Sequence, residues 1–163
     1  MIHHFCPFCW VEVSRDERTC LRCNRNLKDW DEKSYVEKLI HSLNHFDRST
    51  VYRVCYILGK RRETVAVKPL IDLLNTTNDH FLMEEIVEAL GKIGDERAVP
   101  YLINMLNNSS FLVRGKAATV LGYFDSKEEV TQALKRATSD ISNYVRESAR
   151  TSLYKLREGG CRA

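Results

Sequence analysis

The chain has 163 residues, 44% hydrophobic and 29% charged, a balance that fits a globular fold of one ordinary domain or two smaller ones. No apolar run approaches the roughly 18 residues of a membrane span, and the opening MIHHFCPFCW lacks the basic start and apolar core of an export signal, so the expectation is a cytoplasmic protein with no membrane contact. The net charge of +3 hides an alternation: residues 38–68 hold seven basic and two acidic side chains, 69–99 two and seven, and 131–163 seven and three, which is not the continuous basic stripe of a nucleic-acid binder.

The first predicted element surrounds four cysteines. Cys6, Cys9, Cys20 and Cys23 form C-x2-C-x10-C-x2-C. Each Cys-x-x-Cys turn places two sulfurs on one edge of a metal, and two such turns complete a tetrahedron. In a reducing compartment this spacing points to metal rather than to disulfides. Trp10 to Val13 alternates like a strand and Ser14 to Arg18 is polar enough to turn. Residues 5–28 resemble a small zinc ribbon. The resemblance implies one structural zinc per chain: about 25 residues cannot bury enough surface to fold unaided, and four sulfurs leave no open position for a reacting water. A four-cysteine iron site is the alternative; a thioredoxin-type pair lacks its βαβ setting. Phe5, Phe8, Trp10 and Trp30 are expected to pack around the ribbon or against the helix that follows.

From Ser34 onward the chain repeats. KLIHSLN (38–44), PLIDLLN (69–75) and YLINMLN (101–107) align, with QALKRAT (132–138) as a degenerate fourth, in steps of 31 or 32 residues. Leu58, Leu90, Leu121 and Leu153 form a second ladder of the same period. Each period holds two amphipathic helices, the first with Leu82, Ile86, Ala89, Leu90 and Ile93 on one face, the second with Val99, Leu102, Ile103 and Leu106. The expected helices are 32–45, 49–60, 64–75, 80–93, 96–107, 111–124, 127–138 and 142–157. Ser34 and Glu37 can form a capping box, Pro69 and Pro100 suit helix starts, Gly59, Gly91 and Gly122 suit left-handed caps, and Gly159 and Gly160 end the last helix.

EALGKIGDERAVPYLINMLN and VRGKAATVLG resemble HEAT repeats, in particular the short kind of phycobilisome lyases. The resemblance covers about residues 32–157. It implies an all-α fold: an α-solenoid of HEAT-like helical hairpins, preceded by the zinc-ribbon β-hairpin module. The expected domains are 1–31, 32–158 and a tail, 159–163. Val113–Arg114 and Val145–Arg146 keep the family's Val-Arg pair, whereas Leu82–Met83 and Thr50–Val51 depart from it. Stacked hairpins cover one another's apolar stripes and leave two ends to cap; the ribbon, joined through Leu27 to Asp31, is expected to cover the first end, and Arg146, Glu147, Arg150, Lys155 and Arg157 make the last helix polar.

Functional candidates are few. His41 and His45 share a helix face, with Asp72 one repeat along as a third metal ligand. No His-Glu dipeptide occurs, so the resemblance to iron-holding HEAT enzymes does not extend to their ligands. No phosphate loop or nucleophile elbow is present. Cys55 reads as a small core residue and Cys161 as a free tail thiol. The second helices offer Lys38, His41, Asp72, Tyr101, Asn104, Met105 and Lys135 in outward columns, which suit a protein or peptide partner with Tyr101 as anchor. The sequence reading is thus a chain that is not an enzyme: an adaptor binding another protein through this surface. Its alternatives are a nucleic-acid binder using the ribbon and Lys60–Arg62, and a lyase-like protein acting on a tetrapyrrole.

Overall fold

The computed structural model describes residues 4–14, 16–124 and 128–158. Gly159, Gly160, Cys161, the tail and the expected helix start at 127 lie outside them. Two strands, β1 (His4–Phe5) and β2 (Glu12–Val13), pair antiparallel with His4 opposite Val13. Among the described residues eight α-helices follow: α1 (Tyr35–Ser42), α2 (Arg48–Lys60), α3 (Val67–Thr76), α4 (His80–Ile93), α5 (Val99–Met105), α6 (Phe111–Leu121), α7 (Glu128–Ala137) and α8 (Asn143–Arg157). The chain divides into two units, Met1–Val54 and Cys55–Ala163, with the division inside α2.

In the first unit the Ser34 capping box is formed: Glu37 N–H donates to Ser34 Oγ at 3.2 Å and Ser34 N–H to the Glu37 carboxylate at 2.8 Å. This opens α1, which is shorter than expected. It ends at Ser42, in a tight turn that leads to the next cap, Asp47. Asp47 takes the N–H groups of Ser49 and Thr50 at 3.2 and 3.1 Å. Their hydroxyls help hold its carboxyl at a pKa of about 2.

In the second unit α4 packs on α6 and α6 on α8, while α3, α5 and α7 each pack against the helix that follows. Leu58, Leu70, Leu74, Ile86, Leu90, Leu102, Leu121 and Leu134 are fully buried, with Val87 and Val113 among them. The leucine ladder read from the sequence is therefore the core up to Leu121; Leu153, on α8, is only half-buried. Glycines behave differently from the expectation. Gly59, Gly91 and Gly122 do not provide left-handed caps; they let neighbours approach. A Cβ on Gly91 would lie 2.5 Å from Val120, and one on Gly122 2.6 Å from Ser152 Oγ. The left-handed turn falls three residues later, at Arg62 (φ 55°) and Gly94 (φ 72°). Gly94 closes α4 with its N–H on the Leu90 carbonyl.

The loops before the first helix of each pair share a device that carries no obvious sequence signature. The side chain two residues before the cap accepts the cap's own N–H. It is His45 Nδ1 for Asp47 (3.0 Å), Thr77 for Asp79 (3.2 Å), Asn108 for Ser110 (2.9 Å) and Asp140 for Ser142 (2.8 Å). Four different residue types do one job, so the column is invisible to identity.

Candidate metal centre and interaction surfaces

Two equivalent knuckles bring the four thiols together. In the first, Cys6 N–H donates to the Val11 carbonyl and Trp10 N–H to the Cys6 carbonyl, both at 2.8 Å. In the second, Cys20 N–H donates to Arg25 at 3.0 Å and Asn24 N–H to Cys20 at 2.8 Å. The residue after each Cys-x-x-Cys is left-handed, Trp10 at φ 54° and Asn24 at φ 53°. The ten-residue spacer does not itself form the hairpin. Instead, each knuckle is the tip of its own hairpin, closed by β1–β2 in one case and by the Thr19–Asn26 bridge in the other.

The four sulfurs lie within 4.8 Å of one another. Cys6 and Cys23 are 3.7 Å apart, and Cys9 and Cys20 3.6 Å. A tetrahedron with sulfurs at ~2.3 Å from its centre has edges of about 3.8 Å, so the set fits a four-coordinate ion. Burial pushes the Cys6 thiol up to about 12, while the Cys23 backbone amide leads the effects that pull Cys20 down to about 7. Among the described residues no other group of three or more His, Cys, Asp or Glu ligand atoms could hold a metal. The His41, His45 and Asp72 set is not brought together in this way. His45 Nδ1 is used by the Asp47 N–H, and Asp72 pairs with Lys68 at 3.1 Å.

His41 sits in an aromatic cluster made by the knuckles and α1. Its ring centroid is 5.8 Å from Phe8, 5.4 Å from Trp10 and 5.1 Å from Trp30. Its Nε2 is buried without a hydrogen-bond partner, and burial holds its pKa below the usual value. Trp10 also meets His45 at 4.7 Å. A left-handed backbone costs a bulky residue energy that glycine would not incur, and this indole contact is what Trp10 gains at that position. The ribbon thus packs on α1 through aromatic rings, and Lys38 lies over Trp30 at 5.9 Å. Two candidates for the partner surface, Lys38 and His41, are therefore engaged inside the first unit. The others, Asp72, Tyr101, Asn104, Met105 and Lys135, lie on α3, α5 and α7, and all but the half-buried Met105 are exposed. The basic run is partly used internally: Arg61 pairs with Glu63 at 2.8 Å and Lys60 lies 6.0 Å from the Tyr56 ring.

Sequence reasoning missed the pair that ties two repeats. Arg114 of α6 grips Asp140 with two bonds, Nε to Oδ2 at 2.8 Å and Nη2 to Oδ1 at 2.9 Å. Its Nη1 donates to the carbonyls of Asn108 and Ser109 at 2.9 and 3.0 Å. Asp140 is held below the usual carboxylate range, chiefly by this guanidinium. The signal in the sequence is the Val-Arg pair, a mark of the family whose role residue order alone does not show.

No helix among the described residues is long and apolar enough to cross a membrane. The model of HEAT repeats matches residues 36–122 and 82–154. The phycocyanobilin lyase subunit alpha of Nostoc sp. (strain PCC 7120) is 33% identical over 130 residues, which is 75% of this chain and 47% of that protein. The chain thus spans about half the length of this curated relative. Human deoxyhypusine hydroxylase, solved with glycerol, superposes with a TM-score of 0.68 at 23% identity, over 84% of this chain and 50% of that one. The complex of CpcE and CpcF of phycocyanin lyase from Nostoc sp. PCC7120 gives 0.54 at 24%, over 77% and 66%. Those two likenesses show the fold.

The expectation of a chain that is not an enzyme is corrected by these findings. The same scaffold underlies a lyase subunit and a hydroxylase, so the repeats are no ground for setting catalysis aside. Repeat ladder, helix pairing and matched positions agree, and the chain belongs to the HEAT-repeat family.

Proposed function

We propose that this chain is a HEAT-repeat component of a lyase-type system that handles a linear tetrapyrrole together with a second protein, and that the four cysteines hold one structural zinc ion. The observation that carries the first part is the 33% identity over 130 residues with a phycocyanobilin lyase subunit. The complex named for the CpcE–CpcF neighbour supports a protein partner. On this reading the exposed side of α3, α5 and α7 is the working surface. Tyr101 and Met105 offer apolar contact of the kind a flat conjugated ligand needs. Lys135 and the adjacent Arg136 suit its carboxylates. Asp72 and Asn104 supply polar contacts at the edge.

The zinc part rests on the sulfur spacing. The ion would be held by Cys6, Cys9, Cys20 and Cys23 and would fix the two knuckles; the aromatic cluster then couples them to α1.

The test is a titration of the intact protein with phycocyanobilin, read by absorbance. The expected result is a saturable spectral change, weakened at least about tenfold by Tyr101→Ala combined with Lys135→Glu. An unchanged spectrum, with the protein alone and with any partner captured from native lysate, would end the tetrapyrrole reading. Capture of the same partners by wild type and by Asp72→Ala, Tyr101→Ala would end the assignment of this surface.

A further inference from the structure

His41 packs between the ribbon and α1 with one ring nitrogen left unsatisfied. Its Nε2 is buried and has no hydrogen-bond partner. Phe8 and Trp30 meet its ring edge to face, at 78° and 70°, and Trp10 is tilted to it by 35°. The charges set around this ring are of one sign. Arg25, from the second knuckle, lies 5.1 Å over the Phe8 ring, and Lys38, on α1, lies 5.9 Å over Trp30. Burial weighs most against a positive imidazole, Arg25 and Lys33 act in the same sense, and the Pro7 and Phe8 carbonyls, which favour the charge, are outweighed. The other titratable groups nearby are engaged. Glu37, one turn back on α1, closes the Ser34 cap, and His45, one turn on, accepts the Asp47 N–H. Asp47 in turn holds Ser49 and Thr50. The thiols of the first knuckle, Cys6 and Cys9, face Cys23 and Cys20.

We propose that His41 is a pH-sensitive latch: as a neutral ring it holds the knuckles on α1, and its protonation in mild acid releases them and exposes Trp10 and Trp30. Both ring nitrogens of an imidazolium are donors, so the charged form brings a proton to Nε2, where no acceptor waits, inside an apolar cluster. Aromatic rings can favour a cation that lies over their faces. At Phe8 and Trp30 that place is already taken by Arg25 and Lys38. The ring therefore stays neutral while docked, and it can take up its proton freely only by leaving the cluster.

The direction follows from linkage. Below the ordinary imidazole value of about 6.5 the released state binds a proton that the docked state does not. Docking is therefore at full strength above that value and weakens as pH falls below it, by at most about tenfold per pH unit for one proton. Imidazole is the side chain suited to this range. The latch needs neither a tetrapyrrole nor a particular metal, so it goes beyond the lyase-type reading.

The chain has two tryptophans, and both lie against His41, so tryptophan emission reads this cluster alone. The experiment follows the emission of the full, metal-loaded chain from about pH 8 to about pH 5, with bound metal measured by elemental analysis in the same samples. The expected result is a one-proton red shift below about pH 6.5 that precedes metal release. The shift should vanish in His41→Phe and persist in His45→Asn, since Asn108 already does the work of His45 in another loop. An unchanged shift in His41→Phe, or no shift before the metal leaves, overturns the proposal. A second reading uses unaltered protein: the ¹⁵N signals of the His41 ring should titrate with the same midpoint as the emission, and different midpoints overturn the proposal however the variants fold. The outcome is independent of the phycocyanobilin titration.

Discussion

The two units solve one problem, how to hold a chain in place, by opposite means. The ribbon has almost no apolar core of its own: Cys6 and Cys20 are its fully buried residues, while Phe5 and Leu21 face solvent. Its order comes from four converging sulfurs, two left-handed turns and rings shared with α1. The helical stack does the reverse. Leucines and valines at a period of 31 or 32 residues are fully buried, and glycines let the layers close to contact. A few strong bonds at a point and many weak contacts along a line thus differ in what breaks them.

The largest break is expected at the metal. Structural zinc contributes on the order of 10–16 kcal/mol in small peptides, so Cys20→Ser, or a chelator, should unfold the ribbon and leave most of the helical circular dichroism. Elemental analysis of wild type should find one zinc per chain; about one iron instead would redirect the cofactor assignment. Loss of all helical signal together with the metal would mean that the two units are not separable.

Next comes the inter-repeat pair. Both side chains are nearly buried, Arg114 at 10% and Asp140 at 13% exposure. Removing one partner of a buried pair costs about 3–5 kcal/mol, so Arg114→Met should lower the melting temperature of the stack and leave metal content unchanged. The pair also sets an acid limit. Asp140 is depressed in the folded state, so its contribution is complete above the ordinary carboxylate pKa of about 4 and is lost as pH falls through the lower folded value. Asp140→Asn should flatten that part of an acid unfolding curve; an unchanged curve would show that the pair does not couple to folding.

Gly115→Ala is a finer probe. The new methyl meets the Tyr144 ring, and overpacking costs about 1–3 kcal/mol. In a Tyr144→Ala background the same change should instead stabilise by up to about 1 kcal/mol, because alanine is the better helix former. Destabilisation in both backgrounds would show that the ring is not the obstacle. The smallest expected effect is Asp79→Ala, which removes the bonds to the Phe81 and Leu82 N–H groups and should cost about 1 kcal/mol, read by thermal melting.

Most of the fold was legible in the residues because helix faces and metal knuckles are short-range patterns. Apolar spacing placed α4 at His80–Ile93, and C-x2-C spacing named the four sulfurs that the structure gathers. The family's Val-Arg mark was visible as well, though not its purpose. What each glycine does was not legible, since Gly91 inside a helix and Gly94 at its end are told apart only by what approaches them. The expectation that the chain is not an enzyme is corrected for a related reason: repeats record how layers stack, and a lyase subunit and a hydroxylase share them.

By itself, then, the sequence determined the period, the helical pairs and the identity of the thiols, because each depends on residues a few positions apart. Only the tertiary structure decided that Trp10 adopts a left-handed turn against His45, that His41 lies among rings, and that Arg114 meets Asp140. Most of these are contacts across 26 or more residues, or turns whose cost is met by such contacts, and no local pattern of side chains encodes them.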